Sequence, residues 1–346
     1  MNIIDYVKKN KDKSFSELEF NEIDNVIFSQ IVYLPFKNII PEDGTTLHDA
    51  AIKLNSNYDN IAVKGMVYFI KKAFRMINII KDSKRYKDII LSNYVKVVKS
   101  DRQFGALKIE FDKNVYVCFE GTDETIVGWQ EDFRMAYKYP IPSQVMAKDY
   151  LNRVIDRPYR YVYVGGHSKG GNLAVYAAMN ARLPIRIKIK RIFNNDGPGF
   201  SKKVVKSLKY KYIARKVKRF LPSESIVGVL LYHNDNLCTI KSNKIGVFQH
   251  DVFNWQIKNN HFIEKPLSKR SIRLSKEIND IFTNMPNEDL EKFFDDLFLQ
   301  FNESNIIKTP DMLKIKRSLE LFNRIRKMDN DLKSKFAKVF TFRILF

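Results

Sequence analysis

The stretch that decides the fold is Tyr161–Asn180, which reads YVYVGGHSKGGNLAVYAAMN. Its first four residues are β-branched or aromatic, a pattern that predicts a buried strand. Glycines interrupt the pattern over 165–171, and from Asn172 small apolar residues recur at helical spacing. A strand, a tight turn and a helix form the context that a Gly-x-Ser-x-Gly nucleophile elbow requires, and residues 166–170 read Gly-His-Ser-Lys-Gly.

The residue types in this turn have a physical explanation. A serine on a strained strand-to-helix turn needs small neighbours, and Gly166 and Gly170 supply them. The turn would project the Ser168 hydroxyl above the sheet edge. The start of the following helix would leave the Lys169 N–H free to bind a developing oxyanion. We therefore predict Ser168 as a nucleophile and Lys169 as an oxyanion donor; a glycine-rich turn with an incidental serine is the plainer alternative.

A second oxyanion donor is predicted upstream of the elbow. Residues 94–98, 105–111 and 115–119 have the pattern of consecutive antiparallel strands, and the third strand runs into Phe119–Asp123. The glycine of the Gly-Thr pair in that segment permits close approach, while Thr122 offers both an N–H and a hydroxyl. In folds with this elbow, the second donor comes from an earlier strand-end loop.

The remaining patterns predict an α/β-hydrolase fold with a mostly parallel central sheet, antiparallel strands at its start and helical additions at both ends. We expect a helical region over 1–90, the hydrolase core over 91–263 and a second helical region over 264–346. Further strands are predicted at Ile187–Asn194, Val217–Leu221, Leu237–Lys241 and Val252–Ile257. Helices are predicted at Phe15–Phe28, Thr45–Leu54, Asn60–Ile80, 141–156, Ile272–Phe282, Asp289–Phe301 and Met312–Ile325.

A nucleophilic serine needs a histidine base, and three histidines follow Ser168 in the chain. His250 is preferred because it falls in a loop between strand-like runs, late in the sheet. His233 stands in a polar turn where an exposed histidine is the plain expectation, and His261 is the weakest candidate. His167 lies inside the elbow, where the turn aims it away from the nucleophile and a structural role is expected.

Two carboxylates compete for the role of the acid that orients the base. Asp196 follows the strand after the elbow helix, whereas Glu224 follows the next strand. The later position is the usual one for the acid, and this favours Glu224 with Asp196 as the alternative. Either carboxylate could instead brace a loop, so both remain candidates.

The amino-acid composition limits which classes of protein and which cellular compartments are compatible with this chain. The chain has 346 residues, 45% of them hydrophobic, which is typical of a folded globular protein. Two cysteines without framework or metal-ligand spacing suit a reducing compartment, and the first residues lack the apolar core of a signal peptide, so we expect a cytoplasmic protein. No metal or organic cofactor is implied.

The net charge of +21 is partly local, since Arg182–Arg219 holds 14 Lys and Arg against one acid. Such a segment could contact an anionic membrane surface. A solvated lysine-rich surface is the plainer explanation. Nucleic acid is disfavoured because no aromatic-basic recognition motif is present.

Several separated motifs together resemble the class 3, fungal-type lipases and, more closely, the bacterial lipase-related Mbeg-like family. They occur in the order FEGTDETIVGWQEDF, GGHSKGGNLAVYAA, DGPGF, PSESIVGVLL and QHDVFNW, across roughly Ile23 to Phe301. The resemblance implies Ser168 as nucleophile, His250 as base, and Thr122 with the Lys169 amide as oxyanion donors. It implies hydrolysis of an acyl ester or lipid-like substrate by a serine esterase.

The chain departs from the lipase pattern at three positions. Ser225 stands where the lipases have the aspartate before Ile/Val-Val, so Glu224 or another carboxylate must serve or the triad is incomplete. Glu120 replaces an arginine and Lys169 replaces a leucine, and both changes are expected to make the mouth of the site more polar. A catalytically silent hydrolase fold that acts as an interaction or membrane-surface module, and an acyltransferase, are the alternatives.

Overall fold

A computed structural model describes residues 1–58, 63, 66–123 and 125–304. Its helices are α1 (Ile3–Asn10), α2 (Glu22–Ile31), α3 (Leu47–Asn57), α4 (Tyr68–Ile80), α5 (Ile126–Arg134), α6 (Pro142–Val154), α7 (Lys169–Asn180), α8 (Leu183–Lys188), α9 (Lys202–Lys206), α10 (Leu208–Ala214), α11 (Lys269–Asn284) and α12 (Asn287–Glu303). Its strands are β1 (Thr45–Thr46), β2 (Ile90–Lys99), β3 (Arg102–Phe111), β4 (Asn114–Phe119), β5 (Val162–His167), β6 (Ile189–Asn195), β7 (Val217–Pro222), β8 (Asn236–Ile240) and the hairpin β9 (Ile257–Lys258) with β10 (His261–Phe262).

The main sheet has eight strands in sequence order, β1 to β8. Strands β1 to β4 pair antiparallel, and β4 to β8 pair parallel. Tight turns join β2 to β3 and β3 to β4, whereas α3 and α4 lie between β1 and β2 in the chain. Parallel neighbours need a crossover, which here includes helices between β4, β5, β6 and β7. The prediction of an α/β-hydrolase fold with antiparallel strands at the start of its sheet is confirmed.

The two faces of the sheet pack against different helices. Alternation along β4 sends Tyr116 and Cys118 to one face, and Val115, Val117 and Phe119 to the other. The first face is covered by the N-terminal helices α1 to α4, and the second by α6, α7 and α10. Helices α5 and α12 form a separate apolar cluster with aromatic contacts such as Phe133 to Phe294, whose ring centroids lie 4.7 Å apart.

A buried ion pair braces the N-terminal layer. Asp24 on α2 accepts hydrogen bonds from the Arg85 guanidinium at 2.6 and 2.9 Å and from the Tyr86 hydroxyl at 2.6 Å. Arg85 also donates to the Leu18 carbonyl at 2.7 Å, so it ties the segment before α2 to the segment before β2. Both charged side chains are fully buried.

Several boundaries differ from the sequence prediction for local reasons. The helix expected from Phe15 begins only at Glu22, because Asn21 accepts from the amides of Ile23 and Asp24 and caps it. The strand expected from Ile187 begins at Ile189, after helix α8. The first half of the strand expected over Val252–Ile257 is a 3-10 turn, Val252–Asn254. The helix expected over Met312–Ile325 lies outside the described residues.

The region before β2 contains α1 to α4, and the chain after β10 contains α11 and α12, as expected for helical additions. Within the described residues, no helix is both long and apolar enough to cross a membrane.

Replacing Arg85 by methionine tests how much the N-terminal layer depends on its buried ion pair. We expect Arg85→Met to lower the free energy of unfolding by about 3–5 kcal/mol, because Asp24 would stay buried without a cation. Urea titration followed by circular dichroism measures the change. Lys84→Met is the matched control: its pair with Glu17 is exposed, so the loss should stay below about 1 kcal/mol. Equal losses in the two variants would contradict this account.

Candidate active site

Ser168 occupies a strained turn between β5 and α7. Its φ of 57° and ψ of −132° lie in a region that L-residues rarely adopt. The elbow is also tightly packed, since a Cβ on Gly170 would lie 2.1 Å from the Phe119 carbonyl oxygen and one on Gly166 would lie 2.4 Å from the Gly170 carbonyl carbon. The structure therefore shows the backbone geometry that the motif predicts.

The loop after β4 lies directly against this serine. A Cβ on Gly121 would lie 3.0 Å from the Ser168 Cβ, so the glycine permits a close approach. The Gly121 amide donates to the Tyr33 hydroxyl at 3.0 Å. The next residue, Thr122, donates its hydroxyl to Asp132 at 2.5 Å. The hydroxyl of Thr122 is thus already engaged, and its backbone follows the glycine that contacts the elbow.

His250 and Asp196 meet at the carboxyl end of the sheet. The Nδ1 atom of His250 donates to the Oδ2 atom of Asp196 at 2.6 Å. The Asp196 side chain is fully buried, whereas a quarter of the His250 side chain remains accessible. Asp196 itself has a positive φ of 53°, and the next residue packs on the elbow, because a Cβ on Gly197 would lie 2.3 Å from the Ser168 carbonyl oxygen.

The two candidate carboxylates have different partners. The geometry supports Asp196, and not the preferred Glu224, as the acid next to His250. Glu224 accepts a hydrogen bond from the Gly246 amide and so braces the loop that leads to His250. Ser225, at the position of the lipase aspartate, donates its hydroxyl to Asp196, and the Gly228 amide donates to the same carboxylate at 3.2 Å. The segment after β7 therefore supplies donors to Asp196 rather than an acid to His250.

The other histidines occupy structural positions. The Nε2 atom of His167 donates to the His250 carbonyl at 2.9 Å, and the two rings lie 4.5 Å apart between centroids. Burial, followed by the electrostatic effect of the neighbouring His250, lowers the pKa of His167 well below its ordinary value. His233 is buried beside Asp235 rather than exposed as expected, and His261 is exposed.

Lys169 does not make the mouth of the site polar, contrary to the sequence-based expectation. Its side chain is fully buried, and its Nζ atom lies 3.0 Å from Glu131 Oε2, 2.8 Å from the Gln103 carbonyl oxygen and 2.5 Å from Gln103 Oε1. Gln103 in turn donates to the Gly121 carbonyl at 3.2 Å. The cation therefore connects the residue after the nucleophile to the loop after β4.

Glu120 is likewise directed inward. Its carboxylate is buried and lies 2.5 Å from Lys96 Nζ. Burial raises the pKa of Glu120, while the Lys96 ammonium opposes that shift. At both departures from the lipase pattern the charged side chain is thus buried and paired, so the expectation that these two side chains make the mouth of the site more polar is wrong.

A small cavity of about 30 Å³ adjoins the elbow. It is bounded mainly by apolar residues from α5, from the segment after β7 and from α11, including Phe133, Leu231 and Phe282, and Asp132 and Lys169 also line it. Helix α11 is tied to that segment, since Asn279 accepts from the Leu231 amide at 2.7 Å. Within the described part of the chain, no group of His, Cys, Asp and Glu is arranged to hold a metal ion.

Comparison with protein-family models matches residues 80–299 to the family described as Mbeg1-like. The chain belongs to the Mbeg1-like family. This membership agrees with the resemblance in the sequence, and the match includes Ser168, Asp196 and His250. Among proteins with curated descriptions, none matches this Mbeg1-like chain.

Solved structures of fungal lipases are similar to this chain at low identity. The Rhizomucor miehei lipase propeptide complex is 14% identical, with a TM-score of 0.41, over 65% of this chain and 70% of that one. A fungal lipase–inhibitor complex is 17% identical, with a TM-score of 0.37, over 49% and 70%. The lipase from Rhizopus microsporus var. chinensis is 17% identical, with a TM-score of 0.34, over 67% and 85%.

Three residues of this Mbeg1-like site were not identified from the sequence: Tyr33, Gln103 and Glu131. They come from distant segments and reach the site by hydrogen bonds, to the Gly121 amide, the Gly121 carbonyl and Lys169 Nζ respectively. Only the Gly-Trp-Gln-Glu-Asp run over 128–132 marked the neighbourhood of Glu131 in advance.

A double-mutant cycle between Lys169→Met and Glu131→Gln measures the buried ion pair behind the nucleophile. Each single substitution should lower the free energy of unfolding by about 3–5 kcal/mol, because it leaves the partner charge buried. The coupling energy from urea titrations should be about 1–3 kcal/mol.

The matched cycle uses Lys148→Met and Asp149→Asn. These side chains form an ion pair that is partly exposed, so its coupling should be close to zero. A coupling at Lys169 no larger than in this control would show that the buried pair does not brace the elbow.

Proposed function

We propose that this Mbeg1-like chain is a serine hydrolase that cleaves an acyl ester through Ser168, His250 and Asp196. The observation that carries the proposal is the 2.6 Å contact between the buried Asp196 carboxylate and His250 Nδ1, beside a serine in the strained elbow conformation. A carboxylate behind the histidine favours an enzyme over a catalytically silent fold, because a scaffold has no need of an oriented base.

In the proposed reaction, Asp196 holds His250 in the tautomer with hydrogen on Nδ1, which leaves Nε2 free to accept the proton of the Ser168 hydroxyl. The serine oxygen attacks the acyl carbonyl, and the alcohol leaves after taking the proton from His250. Water, deprotonated by the same histidine, then releases the acid from the acyl-enzyme. Asp196 stays ionised and stabilises the imidazolium throughout.

The proposed oxyanion donors are the amides of Lys169 and Thr122. The Lys169 amide stands at the start of α7, where no earlier turn of the helix offers it an acceptor. Thr122 is oriented by its hydroxyl bond to Asp132, and Gly121 lets that loop lie against Ser168. The buried Lys169, Gln103 and Gly121 contacts join the two donors, so they are held at a constant spacing before substrate arrives.

The proposed substrate is a small acyl ester or a lipid-like ester, and no metal or cofactor takes part. The cavity beside the elbow has a mostly apolar lining, which suits an acyl group. Its volume of about 30 Å³ accommodates only a short group unless α11 moves. The acyl-enzyme would also permit transfer to an alcohol, and the released product distinguishes transfer from hydrolysis. A cytoplasmic location, as expected from the sequence, is part of this proposal.

Labelling with a fluorophosphonate probe tests the nucleophile. We expect wild-type protein to be labelled and Ser168→Ala to show no labelling. Labelling of His250→Ala should be slower by about 10³-fold or more, because the serine loses its base. Fluorescence after gel electrophoresis measures the rate. Ser143→Ala, which changes another buried serine, is the matched control and should retain labelling. If correctly folded wild-type protein did not react with the fluorophosphonate probe, the hydrolase proposal would be contradicted.

Substituting each carboxylate in turn tests whether Asp196, rather than Glu224, is the acid of the triad. We expect Asp196→Asn to lower kcat/KM for a short-chain nitrophenyl ester by about 10³–10⁴-fold, and Glu224→Gln by less than about tenfold. A further variant, Asp196→Ser with Ser225→Asp, moves the carboxylate to its contacting partner and should recover part of the activity. A larger loss for Glu224→Gln than for Asp196→Asn would reverse the assignment.

A further inference from the structure

The segment Arg182–Arg219 contains a large excess of positive charge on the protein surface. Ten of its 14 Lys and Arg side chains are exposed. Among the described residues, the ion pairs of these 14 cations are Lys218 with Glu22 and Arg219 with Asp235, and neither involves one of the ten. Within that part of the chain, the ten exposed cations therefore have no carboxylate partner.

The same segment exposes large apolar side chains at helical spacing. On α8, Leu183 and Ile187 are 56% and 57% exposed; on α10, Leu208 and Tyr212 are 83% and 37% exposed. Each pair is separated by four residues, so its members lie on one side of their helix. A solvated charged surface has no need of these side chains, and leucine at 83% exposure is costly in water.

Helices α8 and α10 contact each other, and α9 joins α10 directly at Ser207; we name these three helices the basic face. The Arg186 guanidinium lies 5.3 Å from the centre of the Tyr212 ring, and Lys216 donates to the Arg186 and Ile187 carbonyls at 3.0 Å each. Burial and the nearby Arg215 and Arg186 charges lower the pKa of Lys216. The local potential is accordingly positive.

We propose that the basic face binds the surface of an anionic lipid bilayer. Lysine and arginine would pair with lipid phosphates and carboxylates, while Leu183, Ile187, Leu208 and Tyr212 would enter the boundary between headgroups and acyl chains. Nucleic acid explains the charge but not the leucines and isoleucine, since its backbone offers no apolar layer for them.

The position of the basic face also determines how a bound molecule is oriented. Helix α8 ends at Lys188 and α10 at Ala214, immediately before the amino ends of β6 and β7. Ser168 lies at the opposite, carboxyl end of the parallel strands, roughly 20 Å away along a six-residue strand such as β5. Given the proposed function, the active site faces away from the bilayer and takes its substrate from the aqueous side.

Vesicle co-sedimentation of the full-length Ser168→Ala variant tests the proposal separately from catalysis. This variant lacks the proposed nucleophile, so the measured binding does not depend on catalytic activity. We expect binding to vesicles of phosphatidylcholine mixed with phosphatidylserine, weakened by salt, and little binding to phosphatidylcholine alone. Adding Lys188→Glu, Lys206→Glu and Lys211→Glu should weaken binding by roughly 100-fold or more. Adding instead Leu183→Ser and Leu208→Ser should weaken it roughly tenfold or more.

Matched controls carry the same changes elsewhere on the surface. Lys8→Glu, Lys37→Glu and Lys53→Glu alter the same number of exposed lysines, and Ile52→Ser with Val98→Ser removes other exposed apolar side chains. Thermal unfolding by circular dichroism verifies that every variant is folded.

If either control set weakened vesicle binding as much as the corresponding substitutions in α8, α9 and α10, the assignment of binding to the basic face would be overturned. Equal binding to neutral and anionic vesicles would overturn the role of its charge. Tighter binding to a random-sequence DNA duplex than to the anionic vesicles, at the same salt, would overturn the bilayer as partner.

Discussion

The structure depends on the close approach of helix α7 to the end of strand β4. Gly170 and Gly166 bring the first turn of this helix so near to Phe119 that any side chain at either position would meet backbone atoms. This contact forces Ser168 into its positive φ and places it beside the loop that begins at Gly121. The central sheet supplies the rigidity, since residues 115–119 pair with 162–166 in parallel register and hold both sides of the contact. The strain at the serine is stable only because its surroundings are so constrained.

Buried charges hold the loops around that contact. Lys169 forms a buried ion pair with Glu131 and donates to Gln103, and the buried Glu120 pairs with the partly exposed Lys96. Burying each pair carries an unfavourable desolvation free energy, so the pair contributes little to the net free energy of folding. Removing one partner is nevertheless strongly destabilising, because it leaves the other charge buried and uncompensated. The pairs therefore favour one arrangement of the loops over others. An aliphatic residue at position 169 could fill the same space but could not connect the elbow to the loop after β4.

The acid next to His250 comes from the segment after β6 rather than the one after β7. Ser225 stands where the lipase pattern has aspartate, and it donates to Asp196 instead. The carboxylate receives hydrogen bonds from Ser225, Gly228 and His250. Three donors satisfy the hydrogen-bonding capacity of this buried carboxylate, and its bond to His250 restricts the orientation of the imidazole ring. Glu224 meanwhile has a separate partner in the Gly246 amide.

The sequence by itself determined the elbow, the strands around it and the fold class, because these follow from local patterns: runs of β-branched and aromatic residues in β4 and β5, glycines at 165–171, and helical spacing after Asn172. It also singled out Ser168 and Thr122 for the same reason, since each stands at the end of a recognisable strand. Tertiary structure alone placed Asp196, rather than Glu224, against His250, and showed that the Lys169 and Glu120 side chains are buried. Those outcomes depend on which side chains from distant segments meet, such as Ser225 with Asp196 or Gln103 with Lys169, and no local pattern records the distance between them.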